Sequence, residues 1–154
     1  MSSINGTGST GTSALTDQTP YQLDAQIGFV LRRAFQRHTA IFQEQMTAGL
    51  TPTQFAALAR LYDSGPCSQN QLGRLTAMDI ATIKGVVDRL KSRGFITVES
   101  DTVDRRRRSL ALSGAGYQLI KQAVPLARQI TRSTLAPLSE PEQQQLMKLL
   151  TKIA

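Results

Sequence analysis

Residues 68–112 read SQNQLGRLTAMDIATIKGVVDRLKSRGFITVESDTVDRRRRSLAL, and a change of period inside this stretch decides the fold. Ser68-Gln69-Asn70-Gln71 puts a hydroxyl at a helix start and an amide three residues on, a pair able to satisfy backbone N–H groups left free in the first turn. A short helix over about Gln69–Leu75 follows. Beyond Asp79, which offers a second cap, the apolar residues Ile83, Val86, Val87 and Leu90 recur at three- and four-residue spacing. They predict a helix over Ile80–Arg93, stopped by Gly94. The period then drops to two. Phe95–Glu99 is β-branched and aromatic and Ser109–Leu112 alternates, so two short strands flank a charged tip. Helix, turn, helix and basic hairpin form an arrangement suited to duplex DNA. A helix about 10 Å across fits the major groove, while an extended hairpin reaches the neighbouring minor groove or backbone.

The same capping grammar marks the flanking helices. Thr51-Pro52-Thr53-Gln54 opens a helix over Pro52–Tyr62, closed by the Asp63-Ser64-Gly65-Pro66 turn. Thr19-Pro20-Tyr21-Gln22 opens the first helix, over about Pro20–Thr47, with Leu23, Ile27, Val30, Leu31, Ala34, Ile41 and Phe42 at helical spacing. Ser113 caps a fifth helix to about Leu135, with a kink expected at Pro125 because proline cannot donate its backbone hydrogen bond. Ser139-Glu140-Pro141-Glu142 opens a sixth, Glu140–Ile153, carrying Leu146, Leu149, Leu150 and Ile153 on one side. Residues 1–18, rich in Ser, Thr and Gly, read as a flexible tail. The expected fold is therefore mainly α, a winged helix-turn-helix with a two-stranded wing. One domain spans 19–154, with a DNA-binding lobe at about 51–112. The helices at about 19–48 and 113–154 lie outside that lobe with apolar stripes to bury, which points to a dimerisation region.

Composition narrows the function. One cysteine, Cys67, and one histidine, His38, exclude a disulfide framework and a closed His/Cys zinc site within one chain. No apolar run is long enough to cross a bilayer, so no membrane is expected, and the single cysteine fits the cytoplasm. The sequence contains no nucleophile–base pair, phosphate loop or metal cluster at working spacing, so neither an enzyme nor a cofactor is expected. The net charge of +7 is uneven: residues 1–73 sum to zero, while 74–108 carry nine basic against five acidic residues and 109–154 five against two. The excess lies where a polyanion would be met.

Residues 50–116 resemble the MarR family of bacterial transcriptional regulators. The resemblance rests on LTPTQFAALARL, SQNQLGRLTAMDIATIKGVVDRLKSRGFI and DRRRRSLALSGAG. The family's Asp-x-Arg wing tip falls on Asp104 and Arg106. Its Leu-Thr becomes Leu112-Ser113, which keeps the helix cap, and its following glycine falls on Gly116. The resemblance implies a dimer whose first and last helices interleave with the partner's, and a recognition helix at about 79–93. It further implies a near-palindromic operator and control by a small ligand bound between the dimerisation helices and the lobe. Arg106 would enter the minor groove, held by Asp104.

The residues expected at DNA follow from position. Ser68, Gln69 and Asn70 open the short helix and can donate to phosphate, although capping alone accounts for Ser68. Ile80, Ala81, Thr82 and Lys84 occupy the exposed face of the recognition helix, the methyls suited to thymine and Lys84 to guanine or phosphate. Arg89 binds phosphate or pairs with Asp88 or a wing carboxylate. Arg105, Arg106 and Arg108 join Asp104 at the wing. For a ligand, His38 and Phe42 share the inner face of the first helix, and Arg60 is the one charge in an otherwise apolar helix. Tyr21 and Met78 are further neighbours. If His38 and Arg60 face one pocket, an aromatic carboxylate is the natural guest, with a simple Arg60–Asp63 pair as the plainer reading. Cys67, after Gly-Pro, suits a small buried hydrophobe better than a peroxide sensor. The function these readings favour is a repressor released by such a ligand. A non-specific architectural DNA binder is the alternative, and a protein-interaction adaptor a further one.

Overall fold

Side-chain caps set most of the helix starts. The computed structural model describes residues 20–100 and 108–154, and among these the elements are α1 (Ile27–Gln45), α2 (Pro52–Ser64), α3 (Gln69–Leu75), α4 (Ile80–Ser92), β1 (Ile96–Ser100), β2 (Arg108–Leu112), α5 (Gly114–Leu135) and α6 (Glu140–Ile153). At α2 the box is reciprocal: the Gln54 N–H donates to Thr51 Oγ1 at 3.3 Å, and the Thr51 N–H to Gln54 Oε1 at 3.1 Å. Ser68 accepts from the Gln71 N–H at 3.2 Å. Asp79 accepts from the Thr82 N–H at 2.7 Å, and Ser113 from the Gly116 N–H at 3.0 Å. At α6 the Glu142 carboxylate takes both the backbone N–H and the hydroxyl of Ser139, at 2.8 and 2.9 Å.

The first helix starts later than its capping grammar predicts. Leu23–Ala25 form one 3-10 turn, Gln26 is extended (φ −82°, ψ 131°), and the α-helix begins at Ile27. Short helices draw most of their stability from a packed face, and in this chain none of residues 20–25 is buried. Thr19 and the tail lie outside the described residues. Pro125 sits inside α5, which continues through it as one element.

The lobe closes around Leu58, Leu72, Ile83, Leu90 and Ile120, all buried. β1 and β2 pair antiparallel, Ile96 with Leu112 and Ser100 with Arg108. The residue before α3 joins the pair: Cys67 and Leu110 exchange both backbone hydrogen bonds, at 3.1 and 2.8 Å. The helix-turn-helix and the wing are thus one body. Gly94 (φ +74°) makes the left-handed turn between α4 and the wing. Just beyond it, the Phe95 carbonyl accepts the Ser113 N–H at 3.0 Å and presses on Gly116.

Outside the lobe the packing is one-sided. α1 lies against α5, where Arg37 donates to the Ser133 and Thr134 carbonyls and Gln45 to the Ser133 hydroxyl. Phe42 of α1 is buried, but Ile27, Val30, Leu31 and Phe35 stay exposed, as do Met147, Leu149 and Ile153 of α6. No described helix is long and apolar enough to cross a membrane.

Candidate nucleic-acid interface

α4 buries Ile83, Val86, Val87 and Leu90 and turns everything between them outward. Ile80 is 77% exposed at the first helical position, an unusual place for a large aliphatic side chain that no described residue covers. Ala81, Thr82 and Lys84 stand on the same outward side. The Asp79 carboxylate fixes this end of the helix, taking the Thr82 hydroxyl at 3.0 Å as well as its N–H. These bonds hold the Asp79 carboxyl below the usual aspartate range, the backbone bond first.

The two cations of this face have different partners. Lys84 Nζ donates to Asp88 Oδ2 at 2.8 Å, one turn on. Arg89, which the sequence allows to pair with Asp88, instead lies over Gly85, where a β-carbon would sit 3.5 Å from its Nη2. Adjacent residues on a helix point about 100° apart, whereas i and i+4 lie on one face, so Lys84 takes the carboxylate. The Lys84 bond holds the Asp88 carboxyl down, with Lys91 and Arg89 adding to it, and Asp88 in turn pushes the Lys84 ammonium up. The i, i+4 spacing was the signal for this pair.

Two clefts flank α4. One, of about 310 Å³, is lined by Asn70, Gly73, Arg74, Met78, Asp79, Ile80 and Ile83. The other, of about 260 Å³, lies between α3, α4 and the wing and brings Gln69 together with Asp88, Lys91 and Arg108. Ser68 faces solvent while capping α3. Arg108 is exposed at the start of β2. Asp104, Arg105 and Arg106 lie outside the described residues.

The five ligand candidates do not converge within one chain. His38 shares a hydrogen bond of 3.0 Å with Thr134 Oγ1, and its ring is 6.2 Å from that of Phe42, which meets Phe55 edge-on at 6.0 Å. Arg60 lies elsewhere. α2 buries Gln54, Ala57, Leu58 and Leu61, so Arg60 turns the other way and donates through Nε to the Leu75 carbonyl at 3.0 Å. It lines a cleft of about 510 Å³ with Ala56, Ala59, Asp63, Leu75, Thr76 and Ala77. Met78 belongs to the α3–α4 cleft, and Tyr21 is exposed ahead of α1. Only His38 and Phe42 remain together. Cys67 is 7% exposed, and burial raises its thiol above the ordinary range, which leaves it protonated and unreactive at neutral pH.

A profile of the MarR family matches residues 50–107. The HTH-type transcriptional repressor NicR of Pseudomonas putida is 43% identical over 145 residues, covering 94% of this chain and 92% of the relative. A probable transcriptional regulator from Pseudomonas aeruginosa superposes with a TM-score of 0.84 at 54% identity, over 86% of this chain and all of the other. BpsR of Bordetella bronchiseptica, whose DNA binding is regulated by 6-hydroxynicotinic acid, superposes with a TM-score of 0.82 at 42% identity, over 87% of this chain and 96% of the other.

Proposed function

The chain belongs to the MarR family of transcriptional regulators, and on that premise we propose that it is a homodimeric repressor that leaves a near-palindromic operator when an aromatic carboxylate binds. The observation that carries the DNA reading is the outward face of α4, where Ile80, Ala81, Thr82 and Lys84 stand exposed on a helix whose other side is locked into the core. Apolar methyls beside a cation match the major-groove edge, which offers thymine methyls and guanine acceptors. The uncovered apolar faces of α1 and α6 support a dimer, and a two-fold dimer reads two half-sites about one helical turn apart. Such a regulator works in the cytoplasm.

The ligand class follows from similarity and chemistry together. BpsR, at 42% identity, responds to a hydroxylated pyridine carboxylate, and NicR, at 43%, is a repressor. Here the half-buried His38 lies at the seam of α1 and α5, bonded to Thr134 and backed by the buried Phe42 ring, and its imidazole is suited to the carboxylate of an aromatic acid. Arg60 enters this reading only as a second, separate anion contact on α2. The ligand releases DNA by favouring a dimer whose two heads are wrongly spaced, which requires different affinities for the two states.

Fluorescence anisotropy tests both parts. Duplexes from the region upstream of the chain's own gene and a scrambled duplex are titrated at one salt concentration, with and without 6-hydroxynicotinic acid. The expected preference for one duplex is about a thousandfold or more. The acid abolishes it, and the uncharged 6-hydroxynicotinamide does not. Equal affinity for all duplexes would refute sequence reading and leave the architectural alternative.

A further inference from the structure

We propose that Lys84 and Asp88 act as one unit that reads a single G·C base pair in each half-site, the ammonium on guanine and the carboxylate on cytosine. The inference rests on the reading of α4 as the recognition helix and goes beyond it, because it gives a base-reading role to an acidic residue on a surface that meets a polyanion.

The geometry points to this use. The pair closes at 2.8 Å with side chains 66% and 55% exposed, opposite the buried row Ile83, Val86, Val87 and Leu90. Of its neighbours on the outward strip, Ala81 has almost no side chain, and the Arg89 guanidinium lies over Gly85 beside the pair without bonding Asp88. A helix-stabilising purpose explains the pair poorly. Exposed i, i+4 pairs contribute little, and a lysine ahead of its acid is the weaker orientation.

The chemistry matches one base pair best. Across the major groove a G·C pair presents guanine N7 and O6 as adjacent acceptors, then the cytosine N4 amino donor. An ammonium can span the two acceptors while the carboxylate beside it receives the amino proton. An A·T pair presents acceptor, donor, acceptor and then a methyl. There the ammonium meets a single acceptor, adenine N7 or thymine O4, while the carboxylate takes the adenine N6 amino group, so one contact fewer is made than on G·C. Because the pair is neutral as a unit, Asp88 does not oppose the phosphates as a lone carboxylate would. Both groups remain charged at neutral pH, since each favours the charged form of the other.

The test is selection from a randomised duplex pool with the full-length chain, comparing wild type, Asp88→Asn, Asp88→Glu and Lys84→Gln. The expected wild-type motif has a G·C column at one symmetric position in each half-site, with discrimination against A·T of roughly 5- to 150-fold, the range for a good two-point contact. Asp88→Asn and Lys84→Gln both flatten that column to about twofold or less and leave the others unchanged. Asp88→Glu retains part of it. A column that survives Asp88→Asn, or flattening of different columns by the two variants, overturns the inference while leaving sequence reading intact. So does a change in affinity for all sequences with the motif unaltered. A wild-type pool with no motif overturns the sequence-reading function as well. Asp88 is exposed, and a circular-dichroism melt matching wild type confirms that each variant is folded.

Discussion

Gly116→Ala tests the joint between wing and dimerisation helix. A β-carbon added at Gly116 would fall on the Phe95 carbonyl oxygen and 2.9 Å from its carbonyl carbon, where real β-carbons keep at least 3.0 Å. Neither side yields cheaply, because both are backbone. The Phe95 carbonyl is held by the Ser113 N–H at 3.0 Å, and the Ser113 hydroxyl donates to the Gly94 carbonyl at 2.6 Å. Relief requires α5 or the base of β1 to shift by more than about 1 Å, and overpacking of this kind costs about 1–3 kcal/mol, with backbone contacts at the upper end. For a chain of this size, about 3 kcal/mol lowers the melting temperature by roughly 6–12 °C. Gly114→Ala is the control, since nothing lies within 4 Å of its added carbon, and it should be neutral or slightly stabilising. Thermal melts at one protein concentration separate the two, and the shift in the wing should also weaken operator binding. A Gly116→Ala protein that melts with wild type and binds DNA equally would show that the joint is not rigid and that the argument from close approach fails.

Phe35→Glu places a charge on the exposed apolar face of α1, twice per dimer. Losing burial of about 1.5 kcal/mol or more at each copy raises the dimer Kd at least about a hundredfold, measured by sedimentation equilibrium, and undiminished association refutes this face as the interface. Asp79→Ala removes the α4 cap. Because the folded carboxyl lies below its unfolded value, the cap's contribution is full above about pH 4 and is lost as pH falls through the folded value. The variant should therefore melt below wild type at pH 7 and converge on it in acid; a gap that persists undiminished at pH 2 refutes the assignment. Arg106→Ala should weaken operator binding at least about tenfold in anisotropy titrations, and unchanged affinity refutes the wing contact.

What could be read from the sequence was what local chemistry specifies. Thr51, Ser68, Asp79, Ser113 and Ser139 each announce a helix through bonds that span three residues, and the structure makes those bonds. Gly94 and the change of period after it announced the wing. The start of the first helix was misread for the same reason that others were read well. Thr19-Pro20-x-Gln22 satisfies the local grammar, but residues 20–25 are all exposed among the described residues, so no buried face stabilises the turn. The site was legible where it lay on one element and obscure where it needed two. The outward face of α4 follows from the buried spacing alone. The relation of His38 to Arg60 does not, because it depends on which sides of α1 and α2 meet α5 and α3. Gly116 carried a family pattern, but its purpose appears only when the Phe95 carbonyl is placed against it.

That placement gives the proposed effector a route to the DNA. α5 is 22 residues long, about 33 Å at 1.5 Å per residue, and its two ends make different contacts. Its first turn is joined to the wing through Ser113, Gly116 and the Gly94–Phe95 carbonyls. Its last turns meet α1 through Arg37, His38 and Gln45. A carboxylate that draws His38 away from Thr134 alters the far end of the rod whose near end sets the wing. Between them stands Pro125, which leaves the Lys121 carbonyl without its helical partner and makes this the point where α5 bends most easily. On the proposed function, a rod with one soft point would convert a displacement at the α1 seam into a rotation of the lobe, and such a rotation would change the spacing of two reading heads. On that reading the histidine and the wing would act in one mechanism, although His38 and Asp104 stand 66 positions apart in the chain.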